Sequence, residues 1–141
     1  MGFINRILVP TDFSPNADKA LQFALKLASD CRASVHLLYV DDDPMLNAPT
    51  TSDEFRDKFE DRMATTLAAQ LTDEQRNAFR CEYAVARGDA AVEIINYAAA
   101  QSIDLIVMGV KGRSAFADIL LGSVANKVVH KSTCPVVSVR G

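Results

Sequence analysis

The residues best suited to chemistry lie in Met108-Gly109-Val110-Lys111-Gly112-Arg113-Ser114 and, further on, Gly122-Ser123-Val124, which together spell G-x2-G-x9-G-S. Glycine has no Cβ, so Gly109 and Gly112 can take positive φ and bring backbone N–H groups close to a ligand. Gly122-Ser123 reads as a helix start capped by Ser123, and the free N–H groups and positive dipole end of such a start suit a phosphate. Lys111 and Arg113 add cationic donors. The same glycines also fit an ordinary strand-to-helix connection. A second group favours the chemical reading: Pro10-Thr11-Asp12-Phe13-Ser14 puts a carboxylate directly after an apolar run. There Asp12 can hold a phosphate-bound magnesium ion or the water around it.

Both groups need elements to position them. Apolar runs at Ile4–Val9, Ser34–Val40, Asp104–Met108 and Val136–Val139 have the length and β-branched content of strands, with a weaker run at Arg80–Ala86. Three of them are nearly continuous rather than alternating, which predicts parallel strands buried on both faces. Residues 16 to 29 repeat small and apolar residues at three-and-four spacing after Ser14-Pro15, which predicts a helix. Thr51 with Glu54 and Thr72 with Gln75 read as capping boxes opening a longer and a shorter helix, and Asp89 and Ser123 as caps of two more. Alternation of strand and helix predicts an α/β domain with right-handed crossovers and helices on both faces of the sheet. In such a sheet ligands sit beyond the carboxyl ends of the strands, so loops after neighbouring strands share one pocket.

Composition narrows the classes. The 141 residues, 49% hydrophobic and 23% charged, predict one globular domain over 1–141 that needs neither disulfides nor a structural metal to fold. The net charge of −3 argues against nucleic-acid binding, which needs a broad basic face. That charge is uneven: ten Lys and Arg stand against seventeen Asp and Glu before residue 111, and five against Asp118 alone from there on. Of those five, Lys111 and Arg113 fall in the glycine segment, while Lys127, Lys131 and Arg140 fall on the last helix and strand. Cys31, Cys81 and Cys134 form no C-x-x-C pair and fit a reducing compartment. The start has no secretory pattern and no apolar run is long enough to span a bilayer, so the expectation is a cytoplasmic protein with no membrane partner.

Taken together, Ile7-Leu8-Val9-Pro10-Thr11-Asp12-Phe13-Ser14, Gly88-Asp89-Ala90, the glycine pattern and Ser132-Thr133-Cys134-Pro135-Val136-Val137-Ser138-Val139 resemble the universal stress proteins, specifically the ATP-binding subgroup. The resemblance runs over essentially the whole chain, and within that family G-x2-G-x9-G-S separates nucleotide binders from non-binders. It implies an open parallel five-stranded sheet of order 3-2-1-4-5, Rossmann-like, in subunits paired through the last strand. It also implies that Gly109, Gly112, Gly122 and Ser123 cradle phosphates, with Arg113 beside them and Val124 lining the same wall. Pro10, Thr11 and Asp12 form the opposite wall near ribose and metal, and Val40 meets adenine with Met108 packing nearby. Ala125 departs from members that have a hydroxyl there.

The implied function is an ATP-binding stress-response module, with Mg2+ carried by the nucleotide and slow hydrolysis at most. Alternatives are a structural homodimer that holds no nucleotide, or a binder of another adenine nucleotide such as cAMP. An adenylylating enzyme of similar fold is poorly matched, because its S-G-G-x-D-S or H-x-G-H loop is replaced here by Pro10-Thr11-Asp12-Phe13-Ser14. The apolar last strand would leave an unpaired edge unless a second copy covers it. His36 and His130 read as packing and helix-end charge, Cys134 as a small buried apolar residue, and Asp41–Asp43 as a solvated loop rather than a cation site.

Overall fold

Ile7, Leu8, Val9, Val35, Leu37, Ile106 and Val107 are fully buried, and in a pleated strand this happens only when both faces of the sheet are covered. The computed structural model describes residues 3–45, 47–110 and 121–140. Its elements alternate: β1 (Arg6–Pro10), α1 (Pro15–Cys31), β2 (Ser34–Asp41), α2 (Asp53–Ala68), α3 (Asp73–Ala78), β3 (Cys81–Arg87), α4 (Ala90–Ala100), β4 (Leu105–Gly109), α5 (Ser123–Lys131) and β5 (Val136–Val139). The five strands form one parallel sheet of order β3-β2-β1-β4-β5, the order the family resemblance implies.

Alternation along β1 sends Ile7 and Val9 to one face and Leu8 to the other. On the first face they meet Ala20, Leu21, Ala24, Leu25 and Ala28 of α1 and Leu67 of α2. On the second, Leu8 meets Ala91, Ile94 and Ala98 of α4 and Ala125 and Val128 of α5. The stripe read over 16 to 29 is the buried stripe of α1, which Ser14 opens by accepting the Ala17 N–H at 3.2 Å. The Thr72–Gln75 capping box and the Asp89 cap are both present.

Two caps fall one residue away from the sequence reading. Ser52, not Thr51, caps α2 by accepting the Phe55 N–H, while the Thr51 hydroxyl donates to the Met45 carbonyl. The cap of α5 is Gly122, and Ser123 is its first helical residue. The Asp41–Asp43 run is also not uniformly solvated. Asp42 and Asp43 are exposed, but Asp41 is 2% exposed and its Oδ2 has no hydrogen-bond partner among the described residues. Burial pushes its carboxyl pKa up, against the Asp43 N–H that Oδ1 accepts.

His36 packs as expected. It is buried, its ring meets Tyr97 edge-on, and Nδ1 lies 2.8 Å from the Tyr97 hydroxyl, with Glu82 Oε2 at 3.7 Å. Burial holds its pKa below the ordinary 6.5; Glu82 opposes this and Arg6 adds to it. The folded chain therefore prefers neutral imidazole, whereas the unfolded chain takes up a proton as pH falls through 6.5. Stability present above that pH is lost below it. Melting temperatures measured from pH 7.5 to 5 should fall more steeply for wild type than for His36→Gln, which keeps a polar partner for Tyr97; parallel curves would remove His36 from the acid response.

Candidate functional site

The loop after β1 is wound by its own side chains. Thr11 N–H extends the sheet by donating to Leu38 O at 2.8 Å. Thr11 Oγ1 then accepts the Phe13 N–H, and Asp12 Oδ1 accepts the Ser14 N–H, both at 3.0 Å. The two bonds fold the chain tightly enough to put Phe13 in the left-handed region at φ 64, an uncommon place for an aromatic residue. The Phe13 ring stacks on Tyr39, centroids 5.1 Å apart, and that contact holds the turn in place. Pro10 is buried at the strand end, and Thr11 and Asp12 are half-buried.

β1 and β4 are neighbours, paired at Ile7 with Leu105 and Leu8 with Ile106, so the β1 turn and the end of β4 stand side by side. The separation is small. A Cβ placed on Gly109 would lie 2.9 Å from Asn16 O and 3.0 Å from its carbonyl carbon and Cβ. Gly109 is thus required by the start of α1, and it does not take positive φ; among described glycines only Gly88 does. The positive φ that the sequence reading allowed Gly109 is not taken, and what demands glycine at this position is a helix packed on a strand end.

Beyond β4, Val110 N–H donates to Val139 O, and Gly122 N–H returns to Val110 O at 2.6 Å. These bonds pin the start of α5 to the end of β4. With glycine at the cap there is no cap side-chain oxygen to take up the first N–H groups of α5. The helix start therefore presents its positive dipole end and N–H groups that no cap side chain among the described residues takes up. Ser123 is exposed there, Gly122 buried and Val124 half-buried.

Val40, Met108, Leu121 and Val124 belong to one apolar cluster on the α4–α5 face. The structure thus puts Val40, Met108 and Val124 in the same apolar cluster, and Pro10, Thr11 and Asp12 at the end of β1, the strand that neighbours β4. Gly112 and Arg113, with Lys111, lie outside the described residues. Among the described residues no group of three or more His, Cys, Asp or Glu could hold a metal ion. Asp12 is a single carboxylate, which suits Mg2+ held chiefly by phosphate oxygens rather than by an all-protein cage. No helix among the described residues is long and apolar enough to cross a membrane.

A model of the "Universal stress protein family" matches residues 4–140. Universal stress protein YxiE of Bacillus subtilis is 31% identical over 96% of this chain and 99% of its own length. The solved structure of protein MJ0577 of Methanocaldococcus jannaschii superposes with a TM-score of 0.76 at 28% identity, covering 99% of this chain and 97% of that one. A universal stress protein solved in complex with cAMP superposes at 0.68 over 97% of both chains; at 23% identity it speaks to the fold alone.

Proposed function

Since this chain belongs to the universal stress protein family, we propose that it binds an adenine nucleotide, ATP carried with Mg2+, and works as a nucleotide-dependent binding module in the cytoplasm, with slow hydrolysis at most. The observation that carries the reading is the start of α5, which has no side-chain cap among the described residues and is pinned to the end of β4 by the Gly122–Val110 bond. A phosphate chain would lie there against the N–H groups of Ser123 and Val124, with Gly112 and Arg113 completing the cradle. Pro10, Thr11 and Asp12 would flank ribose and metal, and the base would lie against Val40 and Met108. Asp12 would contribute one metal ligand through the carboxylate that also holds the Ser14 N–H. Another adenine nucleotide such as cAMP is the alternative ligand, because the same helix start accepts any phosphate chain.

The protein as purified, extracted with acid, should release adenine nucleotide at about one per chain. ATP at a hundred times its Kd should raise stability by roughly 2.7 kcal/mol. Gly122→Val, whose backbone at φ −65 and ψ 164 accepts a branched residue, should weaken ATP at least tenfold by screening the helix start. No released nucleotide together with no thermal shift would favour a structural dimer instead. Pairing of two copies through β5 is part of the proposal. That strand is an edge of the sheet, and its valines are only half-buried. A monomer in sedimentation at micromolar concentration would remove it.

A further inference from the structure

The opposite end of the sheet carries a second concave feature. A cavity of about 530 Å3 lies where β1, β2 and β3 begin, between the last turn of α1 and the end of α3. Three arginines line it: Arg6 opens β1, Arg32 is the C-cap of α1, and Arg80 directly precedes β3. Asn5, Ser29 and Ser34 add amide and hydroxyl groups, and no Asp or Glu is among the described lining residues.

Three arginines elsewhere are paired, Arg56 with Asp53, Arg76 with Asp73 and Arg87 with Glu60, while Arg62 and Arg140 stand apart from one another with no ion pair among the described residues. Arg6, Arg32 and Arg80 make no ion pair among the described residues. Asp104 reaches this corner, but its Oδ2 accepts the backbone N–H groups of Asn5 and Arg6, at 2.8 and 3.0 Å, while Arg6 Nη1 donates to Gln101 O. The negative end of α1 is blunted as well, because Ala28 O takes the N–H groups of both Arg32 and Ala33. Three like charges are thus gathered around one cavity in a chain whose net charge is −3.

We infer that this cavity binds a small phosphorylated anion, at a site separate from the α5 end. A guanidinium offers two parallel donors that match phosphate oxygens, which a compact ammonium does not. The volume falls within the range of roughly 300–1,000 Å3 typical of small-molecule sites. The eight residues of β2 run from this end to the other, on the order of 25 Å, so one nucleotide cannot occupy both.

Inorganic pyrophosphate, titrated into the full chain and followed by amide NMR, tests the site. The expected result is saturable shifts at Ala33, Ser34 and Arg80 that persist when ATP is present in excess, with affinity at least tenfold weaker in Arg32→Gly/Arg80→Gln. Glycine suits the left-handed φ of 58 at position 32, and Arg80→Gln keeps the carbonyl that accepts the Val35 N–H, so both changes spare the backbone. Should the double variant melt well below wild type, Arg80→Gln alone carries the test with a threefold or greater loss. Absent shifts, shifts confined to residues 122–126, or unchanged affinity in these variants would overturn the site.

Discussion

Gly109→Val should lower stability by about 1–3 kcal/mol, with any loss of nucleotide binding following from that rather than causing it. The added Cβ would meet the backbone of Asn16 at 2.9 Å, a distance at which something must shift. The obstacle cannot easily yield. Asn16 follows Pro15 in the first turn of α1, whose φ is fixed by the ring, and Ser14 holds that turn by accepting the Ala17 N–H. The helix must then tilt as a body, against Ala20, Leu21 and Ala24, which are 0 to 2% exposed. Gly122→Val stands at backbone angles that any residue adopts, so it meets no backbone strain there, and it should weaken ATP by more than its own loss of stability accounts for. Thermal melts and ATP titrations of the two variants separate the roles. If Gly109→Val melted like wild type yet lost ATP, the strand-end glycine would be a ligand contact after all, as its place in the glycine pattern suggests.

That pair of glycines shows where sequence reasoning reaches its limit. Strands buried on both faces leave continuous apolar runs, so β1, β2 and β4 are legible from composition. β3 reads weakly because it is an edge strand whose residues are only half-buried or exposed. Caps are legible as regions but not as residues. Thr51 and Ser52 both carry the hydroxyl a cap needs, and only the chain path decides which one turns. Long-range contacts leave no local trace: nothing around Gly109 reveals that the backbone pressing on it belongs to Asn16. Asp41 is an intermediate case. Read with Asp42 and Asp43 it looks solvated, yet its parity along β2 matches Val35, Leu37 and Tyr39, all on the α1–α2 face. Counting in twos along the strand would have flagged it as buried.

The same parity predicts a large loss of stability that should leave the nucleotide site untouched. Leu67→Ala should destabilise the chain by about 2–5 kcal/mol, the range for removing a fully buried leucine side chain. Leu67 has no exposed surface and is the one buried residue of α2. What else holds that helix is weak by comparison. The Glu60–Arg87 pair, 2.9 Å apart, ties it to β3 but is about a third exposed on each side, and pairs of that kind contribute about 0–1 kcal/mol. The pairs Glu54–Lys58 and Asp53–Arg56 lie within the helix and its first turn, so they do not fasten it to the sheet. Burial at one residue therefore outweighs the ion pairs together. The melting temperature should fall by roughly 10 °C for Leu67→Ala and by only a few degrees for Glu60→Gln. In hydrogen exchange the amides of α2 should open well before those of α1, which is anchored by six buried residues. Leu67 packs on the α1–α2 face, whereas Val40, Met108 and Val124 lie on the α4–α5 face. ATP affinity below the melting range should therefore stay within about threefold of wild type, a free-energy difference of about 0.65 kcal/mol. Equal destabilisation by the two variants would show that α2 is held by its charges, and a large loss of ATP binding in Leu67→Ala would show that the two faces of the sheet are coupled.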